Sequence, residues 1–204
     1  MIRLIATMTS VAGMVLGGAA VAVAGTTTIP RGFLLTEAEA RTPPLPEFAD
    51  EEWWKIIDGT SRQLELNPCR RTAKPRDGRS AMRTITHLTS GPGYSSEQLV
   101  LYRSAKSAHA AYRTLQADLK RCHRGSAYVY VLKPSSIGDE AMSVAGYFTK
   151  ARKREAAEIW FVGRRGTALF LYNDDVSAGA KLLAGQGKKM AKKVCGLPGV
   201  CVKK

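Results

Sequence analysis

The stretch AKSAHAAYRTLQADLKRC, residues 105–122, decides how this chain folds. Ala105, Ala108, Tyr112, Leu115, Leu119 and Cys122 recur at alternating spacings of three and four, which lays one continuous apolar stripe along a helix. Arg113, Gln116, Asp118 and Lys120 fall on the outward side. Cys122 is delivered at the buried edge, where a structural cystine belongs.

Outside this helix, β-branched and aromatic residues take over. Residues 81–90 and 97–104 read as two strands of a hairpin around Ser90-Gly91-Pro92-Gly93. Residues 127–132, 141–149 and 156–162 are further strand candidates, and Gly163-Arg164-Arg165-Gly166 reads as a tight turn into a strand over 167–172. Asn173-Asp174-Asp175 then opens a last helix, with Val176, Ala180, Leu183, Gly187, Met190 and Val194 on one face. Gly185 and Gly187 weaken its middle by about 1 kcal/mol each relative to alanine. Strands that arrive in hairpins, rather than alternating with helices, predict an α+β fold. The expected architecture is a mainly antiparallel sheet of five to six strands carrying two main helices and two disulfides.

The beginning of the chain reads differently. After Met1-Ile2-Arg3, residues 4–24 carry no charge and end in Ala22-Val23-Ala24. That is the pattern of a secretory signal peptide cleaved before Gly25, the alternative being an uncleaved membrane anchor. Residues 25–46 form a Thr/Pro-rich linker, in which Phe33-Leu34-Leu35 is expected to dock on the domain and Thr36 to N-cap one helical turn. Residues 47–204 make a single domain, opening with a second short helical signal, Asp50-Glu51-Glu52-Trp53-Trp54-Lys55-Ile56-Ile57.

The formal net charge is +14, from 31 basic and 17 acidic residues, and becomes +13 once Arg3 leaves with the signal. Such a charge attracts polyanions without specifying one. It gathers at the end of the chain, where seven lysines and no acid follow from Lys181 to Lys204. Lys188, Lys189, Lys192 and Lys193 lie on the outward face of the last helix, where they form either a solvated surface or a contact for an anionic wall polymer. No dedicated nucleic-acid site and no membrane span after cleavage are expected.

Four cysteines in an exported chain favour two disulfides, for which three pairings exist. Cys195 and Cys201 flank the turn-rich Gly-Leu-Pro-Gly-Val, which leaves Cys69 for Cys122. The spacing does not fit a zinc site, so neither metal nor cofactor is expected. Nor does a catalytic constellation stand out. His87, His109 and His123 are scattered, and no Gly-x-Ser-x-Gly elbow accompanies them. The adjacent carboxylates Asp139-Glu140 and Asp174-Asp175 sit at turns, where they serve as turn and cap residues. Gly185-Gln186-Gly187-Lys188-Lys189 lacks the first glycine of a phosphate loop.

Taken in order, the Gly32-Phe33-Leu34-Leu35-Thr36 segment, Asn67-Pro68-Cys69, the helix running to Cys122, Ile137-Gly138-Asp139-Glu140, the Gly-Arg-Arg-Gly turn and the final helix near Cys195 resemble actinobacterial secreted sensor-domain proteins, relatives of the PknH-like extracellular sensor domain. That resemblance implies an α+β domain with two structural cystines and a ligand-binding groove, without catalysis. No kinase domain is expected with it here, so if the chain signals, it is expected to do so through another protein. The expected function is therefore non-enzymatic binding of a small ligand or cell-envelope component outside the cell. A secreted hydrolase using carboxylates in a groove, or a basic wall-associated protein, are the alternatives.

Overall fold

The structure, a computed structural model, describes residues 28–48, 50–91, 93–122, 128–150, 156–174 and 179–201. The signal-peptide segment, His123, Asp175 and Val176 lie outside the described residues. Seven strands form one sheet: β1 (Glu52–Asp58), β2 (Arg79–Thr89), β3 (Tyr94–Tyr102), β4 (Tyr128–Ser135), β5 (Glu140–Phe148), β6 (Ala156–Arg165) and β7 (Ala168–Asp174), in the spatial order β1-β2-β3-β7-β6-β5-β4. Every neighbouring pair is antiparallel. Among the described residues three α-helices accompany the sheet: a single turn α1 (Glu37–Ala40), the long α2 (Ala105–Arg121) and α3 (Gly179–Lys193).

Because side chains alternate along a strand, the central strands are apolar on both faces and each face needs a cover. From β3, Val100 and Tyr102 join the layer under α2, with Tyr112, Leu115 and Leu119. Leu99 and Leu101 join the opposite layer with Phe161, Phe170, Tyr172, Leu183 and Met190 beneath α3. The sheet is thus the middle of three layers. Leu34 of the docking segment is buried in the α3 layer, beside the C-terminal Leu197 and Val200.

Four local expectations are corrected. The acidic Asp50–Ile57 segment is strand β1, the seventh strand, not a helix. Its antiparallel register on β2 (Trp54 opposite His87, Ile56 opposite Ile85) places Trp54 and Ile56 on the α3 layer, burial that a lone helical turn would not achieve. Asn173 and Asp174 end β7 rather than opening the last helix, which starts at Gly179. The Gly-Arg-Arg-Gly turn moves on by two residues: Arg165 still pairs with Ala168, leaving Gly166 (φ +56°) and Thr167 as the connection. Within α2, Ala105 is exposed, whereas Asp118, expected outward, is only 6% exposed. A second body covers that flank of the helix.

Gly187 shows why α3 tolerates a glycine in its middle. A Cβ there would run into the ring of Phe161, which is fully buried in β6, so the helix lies as close to the sheet as a bare backbone permits. Gly185 faces open space.

Candidate functional site

The body covering Asp118 is the long β1–β2 connection, residues 59–78, and it has no regular secondary structure. Local chemistry shapes it. Asn67 closes a turn by accepting from the Arg71 N–H (3.0 Å) and donating to the Arg71 carbonyl (2.9 Å). Inside this turn Arg70 adopts φ +50°, a left-handed conformation that is costly for a residue with a side chain. Leu66 is buried against the sheet, and the Glu65 N–H donates to Gln98 of β3. Further along, Gln63 donates to the Ala73 carbonyl. Arg79, buried at the start of β2, forks onto Asp77 and donates to the Arg62 carbonyl at 2.7 Å.

Two bonds pin this connection to α2. Cys69 is joined to Cys122 at the helix end. Arg71 makes a two-pronged contact with Asp118 (Nε 3.0 Å, Nη2 2.9 Å), and Arg121 adds a third bond to that carboxylate at 3.0 Å. Pinned at one end and packed through Gly78 against Ser107 at the other, the connection arches over α2. Between them runs a groove of about 940 Å³. Leu64, Leu66 and Leu115 line its apolar part, and Lys106, Ala110 and Thr114, one turn apart, form the helix wall. The size lies within the range of small-molecule sites.

Six basic side chains (Arg70, Arg71, Lys74, Arg76, Arg79, Lys106) line the groove against two carboxylates, Asp77 and Asp118, a balance of +4. Both carboxylates are consumed by arginines, whereas Arg70, Lys74, Arg76 and Lys106 are exposed and form no ion pair among the described residues. Of this segment, sequence reasoning picks out only Asn67-Pro68-Cys69. The readable signal was the run of cations after Asn67-Pro68-Cys69, but an irregular segment gives no periodicity to place it on a helix flank.

The other sequence candidates are used structurally. Both cystines are present, Cys69–Cys122 and Cys195–Cys201, and together they use all four cysteines. Cys69, Asp118 and Cys122 lie close enough to hold a metal, but two of the three donors are tied up in the cystine. Asp139 and Glu140 are held in a basic cluster. Arg164 donates to Glu140 at 2.6 Å, while Arg165 (2.8 Å) and the Gly166 N–H (2.7 Å) donate to Asp139. His109 on α2 pairs with Glu140 at 2.8 Å. Although burial opposes ionisation there, the bonds from His109 and Arg164 hold the Glu140 carboxyl below its usual range. His87 stacks on Trp54, ring centroids 4.1 Å apart.

On the α3 side a smaller hollow of about 290 Å³ gathers Glu39, Glu97 and Asp174. Its buried member, Glu97, accepts from the Leu35 and Thr36 N–H groups, the Thr36 hydroxyl and the Tyr172 hydroxyl, all within 2.9 Å. It is the anchor of the docking segment. Thr36 therefore spends its hydroxyl on Glu97 and makes no side-chain cap on α1. Burial, with Glu97 beside it, pushes the Tyr172 phenol well above its ordinary value.

The lysines of α3 lie on the sheet face opposite the groove. Lys188, Lys189 and Lys192 are exposed, but Lys193 is half-buried with its ammonium 4.9 Å from the Phe33 ring centroid, a cation–π contact that fastens the docking segment. Among the described residues no helix is long and apolar enough to cross a membrane.

Fold and groove together define a class: a cystine-bonded α+β domain in which one antiparallel sheet is covered on both faces and an irregular connection is stapled across the long helix. The solved extracellular domain of PknH from Mycobacterium tuberculosis is similar in fold, superposing with a TM-score of 0.53 at 13% identity over 83% of this chain and 100% of that one. At that identity the likeness establishes the fold. No protein-family model matches the chain, and no curated protein matches it.

Proposed function

We propose that this chain is a non-enzymatic, extracellular ligand-binding domain of the sensor type, holding its ligand between residues 63–79 and α2. One observation carries the reading: a groove of ligand size whose roof is an irregular segment stapled to the helix by a cystine. Irregular segments fixed on a rigid frame are where proteins place recognition. Two further findings support it. The fold is shared with an extracellular domain of a different protein, and the cystines fit an oxidising compartment. The hydrolase alternative is weakened because Glu97, Asp139 and Glu140 are each engaged by arginine, backbone or hydroxyl groups that hold them in place. Association with anionic envelope polymer through Lys188, Lys189 and Lys192 is a separate surface property of the opposite face.

Native mass spectrometry of the exported protein tests this. The wild type should carry a non-covalent adduct, absent from an Ala110→Trp variant in which an indole fills the groove from the exposed helix wall. An unliganded wild type, or an adduct that persists in Ala110→Trp, refutes the assignment.

A further inference from the structure

The chemistry of the groove walls narrows the ligand beyond its existence. We propose that the groove takes an anionic amphiphile: a phosphate, sulfonate or carboxylate carried on an apolar body. This rests on the groove being the ligand site.

The argument begins with which charges are already spent. Asp118 is shared by Arg71 and Arg121, and Asp77 is gripped by Arg79 through bonds of 2.6 and 2.9 Å. These pairs build the walls and leave no carboxylate free to meet a cation. Four cations remain: Arg70, Lys74 and Arg76 on the arch, and Lys106 on the first turn of α2. They flank one concavity from both sides, and a concave site with low-dielectric walls concentrates their field. Arg70 is held in its left-handed turn by the bond from its own N–H to the Asn67 carbonyl (3.1 Å) and by the neighbouring cystine. Such a conformation persists only where its surroundings over-determine it.

The interior has the opposite character. Half-buried Leu64 and Pro75 and exposed Ala110 supply its apolar surface, over a floor of Leu66, Ala111 and Leu115 that is almost wholly packed into the core. An inorganic anion would leave this part unfilled, and a neutral apolar molecule would leave the cations unmatched. One molecule satisfies both parts only if it joins an anion to an apolar body.

Two fluorescent probes of nearly equal shape separate these cases. 1-Anilinonaphthalene-8-sulfonate carries the anion, and N-phenyl-1-naphthylamine is the same aromatic body without it. With the full exported protein, the sulfonate should bind saturably, one per chain, at least about tenfold more tightly than the neutral probe, a ratio equivalent to about 1.4 kcal/mol. Its affinity should fall with added salt through screening. Replacing Arg70, Lys74, Arg76 and Lys106 together by glutamine should abolish the preference while the neutral probe still binds. Lys188→Gln with Lys189→Gln and Lys192→Gln should leave it intact, and near-UV circular dichroism checks that each variant stays folded. Equal affinity for the two probes, or loss of preference in the α3 variant alone, overturns the anionic assignment and leaves the groove as a binding site. Failure of both probes to bind, or binding that Ala110→Trp does not reduce, overturns the groove reading itself and the ligand class with it.

Discussion

Removing the cystine that staples the arch, by Cys69→Ala with Cys122→Ala, should cost much more than removing the other one. The two bridges differ chiefly in the chain they close: Cys69–Cys122 spans a separation of 53 residues and Cys195–Cys201 a separation of 6. In the chain-entropy description, stabilisation grows with the logarithm of loop length, giving about 4 kcal/mol for the first and about 2 kcal/mol for the second. For a domain of this size 1 kcal/mol moves the melting temperature by about 2–4 °C, so the long-loop variant should melt about 8–16 °C lower and the short-loop variant about 4–8 °C lower. The loss has a local part as well. Without the cystine, the Arg71–Asp118 pair is the one bond among the described residues that ties the middle of the arch to α2, and its arginine is 47% exposed and contributes little by itself. Leu66 on one side and the Asp77–Arg79 fork on the other stay anchored. Hydrogen exchange should therefore accelerate at the Arg70 and Arg71 amides, which the Asn67 turn protects, far more than along β2 or α2, and sulfonate-probe binding should fall with it. Urea titrations of the two double variants beside wild type measure the stabilities. A short-loop variant as unstable as the long-loop one, or unchanged exchange at the Arg70 and Arg71 amides, would refute the view that this cystine shapes the groove.

Three more outcomes follow from single contacts. Gly185→Ala, facing open space, should raise the melting temperature by about 2–4 °C through helix propensity, whereas Gly187→Ala should lower it, since overpacking against the enclosed Phe161 ring costs about 1–3 kcal/mol; differential scanning fluorimetry distinguishes the signs. Glu37 is buried, which by itself would raise its pKa, but bonds from the Gly32 and Leu34 backbone and from Arg41, with the Arg83 charge nearby, bring it down from 4.5 to about 2. A folded-state value below the unfolded one stabilises the protein above about pH 4.5 and loses that contribution as the pH falls toward 2, so Glu37→Gln should flatten the stability–pH profile in that window. Lys193→Gln should cost about 0.5–1 kcal/mol by removing the cation from Phe33, while Lys188→Gln, Lys189→Gln and Lys192→Gln each stay within about 0.5 kcal/mol in urea titrations.

Periodicity and local turn chemistry alone encode much of this fold. The stripe from Ala108 to Cys122 specified α2, and alternating β-branched and aromatic residues specified six of the strands. The turn-rich Gly-Leu-Pro-Gly-Val settled one cystine and so the other. These features depend on neighbours within a few residues, so they can be read from a line of text. The tertiary structure decided whatever depends on distant partners. Glu52–Asp58 has an acidic start that suits a helix, and only pairing with β2 makes it a strand. Asp118 belongs by periodicity to the outward side of α2, and it is buried because Arg71, far back in the chain, reaches over it. Glu97 looks like an ordinary strand carboxylate until the docking segment brings two backbone N–H groups and a hydroxyl to it. The groove belongs to this second kind. Its arch has no period of its own, its wall is a flank of α2 that the apolar stripe does not mark, and its cations converge because a cystine joins residues 53 apart in sequence.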